Sequence, residues 1–313
     1  ALFDDFDTYF RVVDKTVAVT ESLSDALLRY LNTLPCKPET LRGRVDTYRA
    51  VFIREKEFCD EESEQPTYFN IHPLESIAED SPAPLLIYEN SGGGTPSHQL
   101  LNRIQLLDDV SEQIVTSLKT LRWPYAAVHV RNTDYQSNYR LFFKKIRKSV
   151  GEQPLLVCSD DPGVIEYARD YFPGEVMFFA GRARSADPSG ALHRRGAFTD
   201  KDARRTSVID SLTDLIALGC AQHLYIGTVS AVLNPVVYRE HGKLKWHPTD
   251  AISGFSKLAS HLCQNPDKVK ALLNHPLPFA EAENKDVTLV DLEPIRHKLL
   301  RKAQFHFNQL RRR

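Results

Sequence analysis

At the end of an otherwise apolar run, Tyr125 to Val130, the residues His129, Arg131, Asn132, Thr133 and Asp134 appear abruptly. A strand buried on both faces carries Val or Ile there, so the arginine and the imidazole must be satisfied by something. An arginine in such a place is a bidentate donor for phosphate. The alternative is structural: Arg131 paired with Asp134, and His129 as a satisfied core histidine. A second apolar run ends in Ser159-Asp160-Asp161-Pro162, and a third opens into Gly227-Thr228-Val229-Ser230-Ala231 where a helix is expected to start. A helix start with small hydroxyl residues offers free N–H groups and the positive end of a dipole. With Arg131, the Thr228 and Ser230 turn has the make-up of a diphosphate clamp. Asp160 and Asp161 join that edge, and they read equally well as an N-cap pair. Asp210 and Asp214 stand one helical turn apart on one face of the intervening helix.

These residues need a frame, and the hydrophobic pattern supplies one. From about residue 84, short apolar runs alternate with helical patterns, the signature of βαβ units and a parallel sheet. Strands are expected at 84–90, 125–131, 154–160, 175–180 and 223–227, with the stretch 243–246 closing the sheet. Helices are expected at 137–149, 162–172, 207–221 and 230–242. Another is expected over 98–121, where Leu100, Ile104, Leu107, Val110, Ile114 and Leu118 form one stripe behind a Ser97 N-cap. The result is a doubly wound sheet whose ligands bind outside the carboxyl ends of the strands. The first 83 residues are less patterned, with a helix-like 21–32 and a strand-like 45–54.

Composition narrows the function. The chain has 313 residues, 42% of them hydrophobic and 26% charged, which suits a globular protein of two domains with a cleft between them. A formal charge of −1 supplies no global field for nucleic acid, so any anion site is local. The five cysteines, with no CxxC pair, read as packing residues of a reducing compartment. No run approaches the ~20 apolar residues that span a bilayer. The start has neither the order of a signal peptide nor a Golgi-type anchor, which points to a cytoplasmic enzyme, peripheral at the inner membrane. Because Ala1 leads almost at once into structured-looking sequence, native residues are expected ahead of it.

Several other motifs are set aside. GGGTPS (92–97) is close to a dinucleotide fingerprint, but Pro96 breaks the turn and the following strand ends in Arg131 instead of a ribose-binding acid. There is no GxxxxGK[ST] phosphate loop. Asp5 and Asp7 have the spacing of a metal-binding DxD, yet they do not follow a nucleotide-binding strand, and no metal is expected.

HVRNTD (129–134) resembles the HxRxTD signature of the GT-B-type fucosyltransferases that use GDP-fucose. That group includes the core α1,6-, the rhizobial nodulation-factor and the protein O-fucosyltransferases. SDDPGVIEYARDYFP (159–173) and SLTDLIALGCAQHLYIGTVSAV (211–232) are similar to the segments that follow in that family, and the likeness covers roughly residues 122 to 250. It implies an α/β, GT-B-like fold with two Rossmann-like domains facing across a cleft. It also implies that His129 contacts the nucleotide, Arg131 the β-phosphate, Asp214 the guanine edge and Ser230 the diphosphate. Two differences stand out. Asn132 occupies the place of a second arginine in the core enzymes, and the family's N-terminal GxGxQ segment is missing.

The resulting expectation is an inverting glycosyltransferase of polysaccharide biosynthesis with no cofactor, its donor substrate being GDP-fucose and its acceptor a glycan or glycolipid hydroxyl. The base would be Asp134 or Glu89. Residues 1–121 would form the acceptor side, 122–280 the nucleotide-sugar domain, and 281–313 a C-terminal helix packing back on the first domain. The alternatives are another nucleotide sugar on the same fold, or a non-catalytic nucleotide- or glycan-binding module. Two basic segments lie outside the motif. The loop 181–206 carries seven Lys or Arg against three Asp, and reads as a solvated loop or as a cover for the diphosphate. The stretch 295–313 has seven Lys or Arg and no acid; besides packing, it could rest on an anionic membrane.

Overall fold

The computed structural model describes residues 6–15, 23–37, 42–43, 84–86, 98–132, 137–180, 201–227, 236–240, 243–247, 252–281 and 284–292. The expected strand at 45–54, the Ser97 cap and the stretch 293–313 lie outside them.

Before the main sheet come β1 (Phe10–Val12), α1 (Asp25–Leu31), the parallel pair β2 (Cys36–Lys37) and β3 (Leu85–Leu86), then β4 (Ile104–Leu106) and α2 (Asp108–Leu118). Five parallel strands follow: β5 (Ala126–Val130), β6 (Leu155–Ser159), β7 (Val176–Met177), β8 (His223–Gly227) and, beyond the paired strands β9 (Val236–Glu240) and β10 (Lys243–His247), β11 (Asp286–Val290). They pair in the order β11-β8-β5-β6-β7, all parallel, with β5 at the centre. Helices α3 (Tyr139–Val150) and α4 (Pro162–Tyr171) connect β5, β6 and β7. Helix α5 (Lys201–Cys220) crosses back to β8, and α6 (Gly254–Gln264) and α7 (Pro266–Leu273) precede β11. The chain therefore reverses its winding direction between β5 and β8, where a crevice opens at the carboxyl edge.

Side chains that alternate along each strand feed two apolar layers. Ala126, Val128, Val130, Leu155, Val157 and Tyr225 pack with Phe142, Phe143 and Ile146 of α3 and with Val164 and Ile165 of α4. Ala127, Leu156, Cys158, Leu224 and Ile226 meet α2, α5, α6 and α7 on the other face. Buried hydrogen bonds tie that second layer together: Tyr125 Oη donates to the Ala217 carbonyl at 2.7 Å, and Ser111 Oγ to the Leu273 carbonyl at 2.6 Å. Arg205 fastens its outer rim, donating to Asp109 at 2.6 Å and to the Thr8 carbonyl at 3.1 Å while lying over the Tyr9 ring. Cys36, Cys158, Cys220 and Cys263 are buried free thiols, as packing cysteines should be; Cys59 lies outside the described residues. Among the described residues no helix is long and apolar enough to cross a membrane.

Four sequence expectations change. The single helix over 98–121 is a 3₁₀ turn (His98–Arg103), then β4, then α2, because Ile104–Leu106 pairs antiparallel with β1 and a distant partner is invisible to a local 3.6-residue stripe. Asp108 and Asp109 then start the true helix, where acids suit the dipole. The helix expected through 242 is a strand over Val236–Glu240, whose Val-Val-Tyr start favours extended backbone. Lys243–His247 pairs with that strand and does not close the main sheet; β11 does, within the stretch expected to be a C-terminal helix. Finally, α5 starts at Lys201, so Arg204 and Arg205 belong to a helix and not to the basic loop.

A close approach between α5 and α6 yields a test. A Cβ on Gly219 of α5 would stand 2.8 Å from Leu262 Cβ of α6 and 3.4 Å from Val269 Cγ2. Overpacking of this kind costs about 1–3 kcal/mol, against a helix-propensity gain of about 1 kcal/mol. Gly219→Ala is expected to lower unfolding free energy by on the order of 1 kcal/mol net, read by urea denaturation; a stabilised variant would contradict the close approach.

Candidate functional site

Strand parity decides where His129 goes. It shares a face with Ala127, the face covered by α6, and its register partners are Cys158 of β6 and Ile226 of β8. Its Nδ1 lies 2.7 Å from Ser256 Oγ, and its ring rests against Phe255 with centroids 4.7 Å apart. Ser253 caps α6 by accepting from the Ser256 amide at 3.1 Å, and its hydroxyl donates to Ser256 Oγ at 2.9 Å. The first turn of α6 thus closes one side of a cleft lined by His129, Arg131, Ser137, Gly227, Ser253 and Ser256, with Phe142 and Leu292 as apolar floor. Gly227 packs closely there: a Cβ would stand 2.8 Å from Leu292 Cδ1, and that side chain would have to shift to admit it.

Burial first, and the Arg131 charge second, push the His129 imidazole down to about 4. At neutral pH the ring is uncharged, one donor and one acceptor, beside an arginine that is always charged.

Asn132 ties together the loops on the other side of the cleft. Its amide donates to Asp160 Oδ1 at 2.8 Å, its Nδ2 to Asp161 Oδ2 at 2.7 Å, and its Oδ1 accepts from the Ser137 amide at 3.1 Å. Asp161 also caps α4, accepting from Gly163 at 2.8 Å, so the capping alternative describes it. The carboxyl ends of β5 and β6 and the start of α3 are joined at the residue following Arg131, which restricts where that arginine's backbone can go.

His129 and Arg131 therefore line one cleft, and Asp160 and Asp161 hold the adjoining loops. Asp214 is half-buried on α5 and is not among the residues that line the cleft. Glu89, Asp134, Thr228 and Ser230 lie outside the described residues. Sequence reasoning missed Ser253 and Ser256. The signal was present, since Ser253 stands at a helix start three residues ahead of Ser256, but it falls just past the end of the recognisable motif. Among the described residues no group of three or more His, Cys, Asp or Glu could hold a metal ion.

No protein-family model and no curated protein sequence matches the chain. Among solved structures, it is similar to the NodZ alpha-1,6-fucosyltransferase co-crystallised with GDP, at 15% identity and a TM-score of 0.44, covering 77% of this chain and 81% of that one. It is also similar to the fucosyltransferase NodZ from Bradyrhizobium, at 17% identity and a TM-score of 0.45 over 82% and 76% of the two chains. POFUT1 in complex with GDP-fucose shows 10% identity and a TM-score of 0.31 over 62% and 49%.

The depressed His129 value makes stability depend on pH. A histidine whose folded value lies below its unfolded one contributes fully above about 6.5 and loses that contribution as pH falls toward about 4. Burial also lowers His98 and His261, which add in the same direction. We expect unfolding free energy to drop by on the order of 3 kcal/mol through His129 alone across that window. His129→Asn should flatten the profile in urea titrations; an unchanged slope would mean the ring is not held neutral.

Proposed function

We propose that this chain is an inverting, metal-independent glycosyltransferase that moves fucose from GDP-fucose to a hydroxyl of a glycan or glycolipid. The observation that carries the reading is the joint lining of one cleft by His129 and Arg131, at the carboxyl edge of a parallel sheet and beside its winding reversal. The HVRNTD, SDDP and GTVS segments support it through their family resemblance.

In the proposed reaction the acceptor oxygen attacks the anomeric carbon while the bond from that carbon to the β-phosphate oxygen breaks. The bonding pair leaves with GDP, and the acceptor proton passes to a carboxylate, Asp134 or Glu89. Arg131 offers two parallel N–H donors to the β-phosphate, where negative charge grows in the transition state. His129 supplies a neutral donor beside it. Thr228 and Ser230 complete the diphosphate contacts, and Asp214 accepts from the N1 and N2 hydrogens of guanine. Asp160 and Asp161 act through Asn132, holding the loop that carries Arg131. We place the nucleotide-sugar domain at 122–280 together with α2 and β11, which pack on and complete its sheet, and the acceptor side in the residues before α2.

Calorimetric titration with GDP, UDP, CMP and TDP tests the donor class. GDP alone should bind, and Asp214→Asn should lose that preference. Selective binding of another nucleotide would move the reading to a different sugar donor on the same fold, and GDP binding without donor turnover would favour a non-catalytic module. In GDP-fucose turnover, Arg131→Ala should lose about 2.7–4 kcal/mol of transition-state stabilisation. Full activity in that variant would remove Arg131 from the clamp.

A further inference from the structure

We propose that Ser256, itself oriented by Ser253, is a positioning residue that holds His129 as its Nε2–H tautomer and so makes the ring a neutral hydrogen-bond donor to an anionic oxygen in the cleft. For its ligand this rests on the phosphate-binding reading above; for the tautomer it does not.

Hydrogen counting at the start of α6 leads to it. Ser253 Oγ accepts the Ser256 amide and donates its one hydrogen to Ser256 Oγ. Ser256 Oγ has then accepted one bond and has one hydrogen left, and the atom within reach is Nδ1 of His129 at 2.7 Å. In that order Nδ1 is the acceptor and the ring proton sits on Nε2; the reverse order, Nδ1–H to Ser256 Oγ and Ser256 to Ser253 Oγ, would satisfy the same three atoms, and the surrounding charge decides between them.

Electrostatics selects the first order. The positive end of α6 and the Arg131 guanidinium both lie near the ring. An Nδ1 lone pair aimed at a helix N-terminus is favourable, whereas an Nδ1–H aimed there sets positive against positive. The ring's depressed titration, caused by burial and Arg131, removes the doubly protonated form. Among the described residues Nε2 has no partner, while the ring itself lines the cleft. Phe255, packed on the ring, limits its rotation.

Ser256 is 4% exposed, and its hydroxyl is engaged by Ser253 and His129. A hydrolase-type dyad is a poor description of this pair: no carboxylate is hydrogen-bonded to the ring among the described residues, and the serine meets Nδ1.

The test is ¹⁵N NMR of the whole chain with labelled histidine near pH 7, with the His129 signals assigned by their loss in His129→Gln. We expect a protonated Nε2 and an acceptor-type Nδ1. Ser256→Ala should shift the population toward Nδ1–H and weaken GDP binding about tenfold, whereas Ser256→Thr, which keeps the hydroxyl, should retain both properties. A wild-type Nδ1–H tautomer, or a Ser256→Ala spectrum matching wild type, would overturn the assignment. If Ser256→Ala does not fold, the wild-type tautomer decides alone. An Nε2–H tautomer in a protein that binds no nucleotide would support the positioning role and overturn the nucleotide reading instead.

Discussion

A central strand of a doubly wound sheet has no free side. The backbone groups of β5 are shared with β6 and β8, and its side chains alternate between two helical layers that both exclude water. Within such a strand a polar residue is tolerated only where a partner waits in the facing layer. His129 meets that condition because its parity turns it toward α6, where Ser256 supplies the hydrogen bond and Phe255 the packing surface. Shift the register by one residue and the imidazole would enter the apolar layer of Phe142 and Phe143 with nothing to bond. The site is in this sense a product of the strand's alternation, and the loops around it are arranged on that strand's end.

The loops are held from below. Asn132 spends three hydrogen bonds on Asp160, Asp161 and the Ser137 amide, and Asp161 spends another on its own helix. Charge-assisted bonds to carboxylates are roughly twice as strong as neutral ones. An arginine at position 132 could also donate to those acids, but it carries no acceptor for the Ser137 amide. The asparagine is therefore a structural choice, trading a second local cation for a short bridge between two strand ends.

Much of this was legible in the chain, and the failures have a common cause. The strands of the main sheet were readable wherever they were continuous apolar runs closed by polar residues, as at Val128 to Arg131 and Val157 to Asp161. Elements that depend on a distant partner were not: β4 exists because β1 pairs with it 94 positions away, and β11, with Leu289 57% exposed, lacks the apolar run that marks a buried strand. The same limit applies at the site. His129 and Arg131 announced themselves by interrupting a hydrophobic strand, whereas Ser253 and Ser256 are ordinary serines until the fold sets them against that histidine. Arg205 shows the reverse case, a residue that looked like part of a mobile basic loop and instead ties the rim together because its helix begins earlier than the apolar pattern does.

The charge arrangement follows from cost. The chain has almost no net charge, so any anion site would depend on a few groups at close range. Two buried cations side by side would repel each other and would each lose hydration in the empty cleft. One half-buried arginine next to a neutral imidazole avoids this, since the ring adds a donor without adding charge. The helix end at Ser253 adds a third positive influence made of partial charges, which needs no counter-ion when the cleft is empty. Under the proposed reading the cleft presents several convergent donors to an oxygen that carries or develops negative charge. What it gives up is adjustability. The polar bonds of the site bear on the imidazole directly, through Ser256 and Ser253, and on the arginine only through the backbone of its neighbour Asn132.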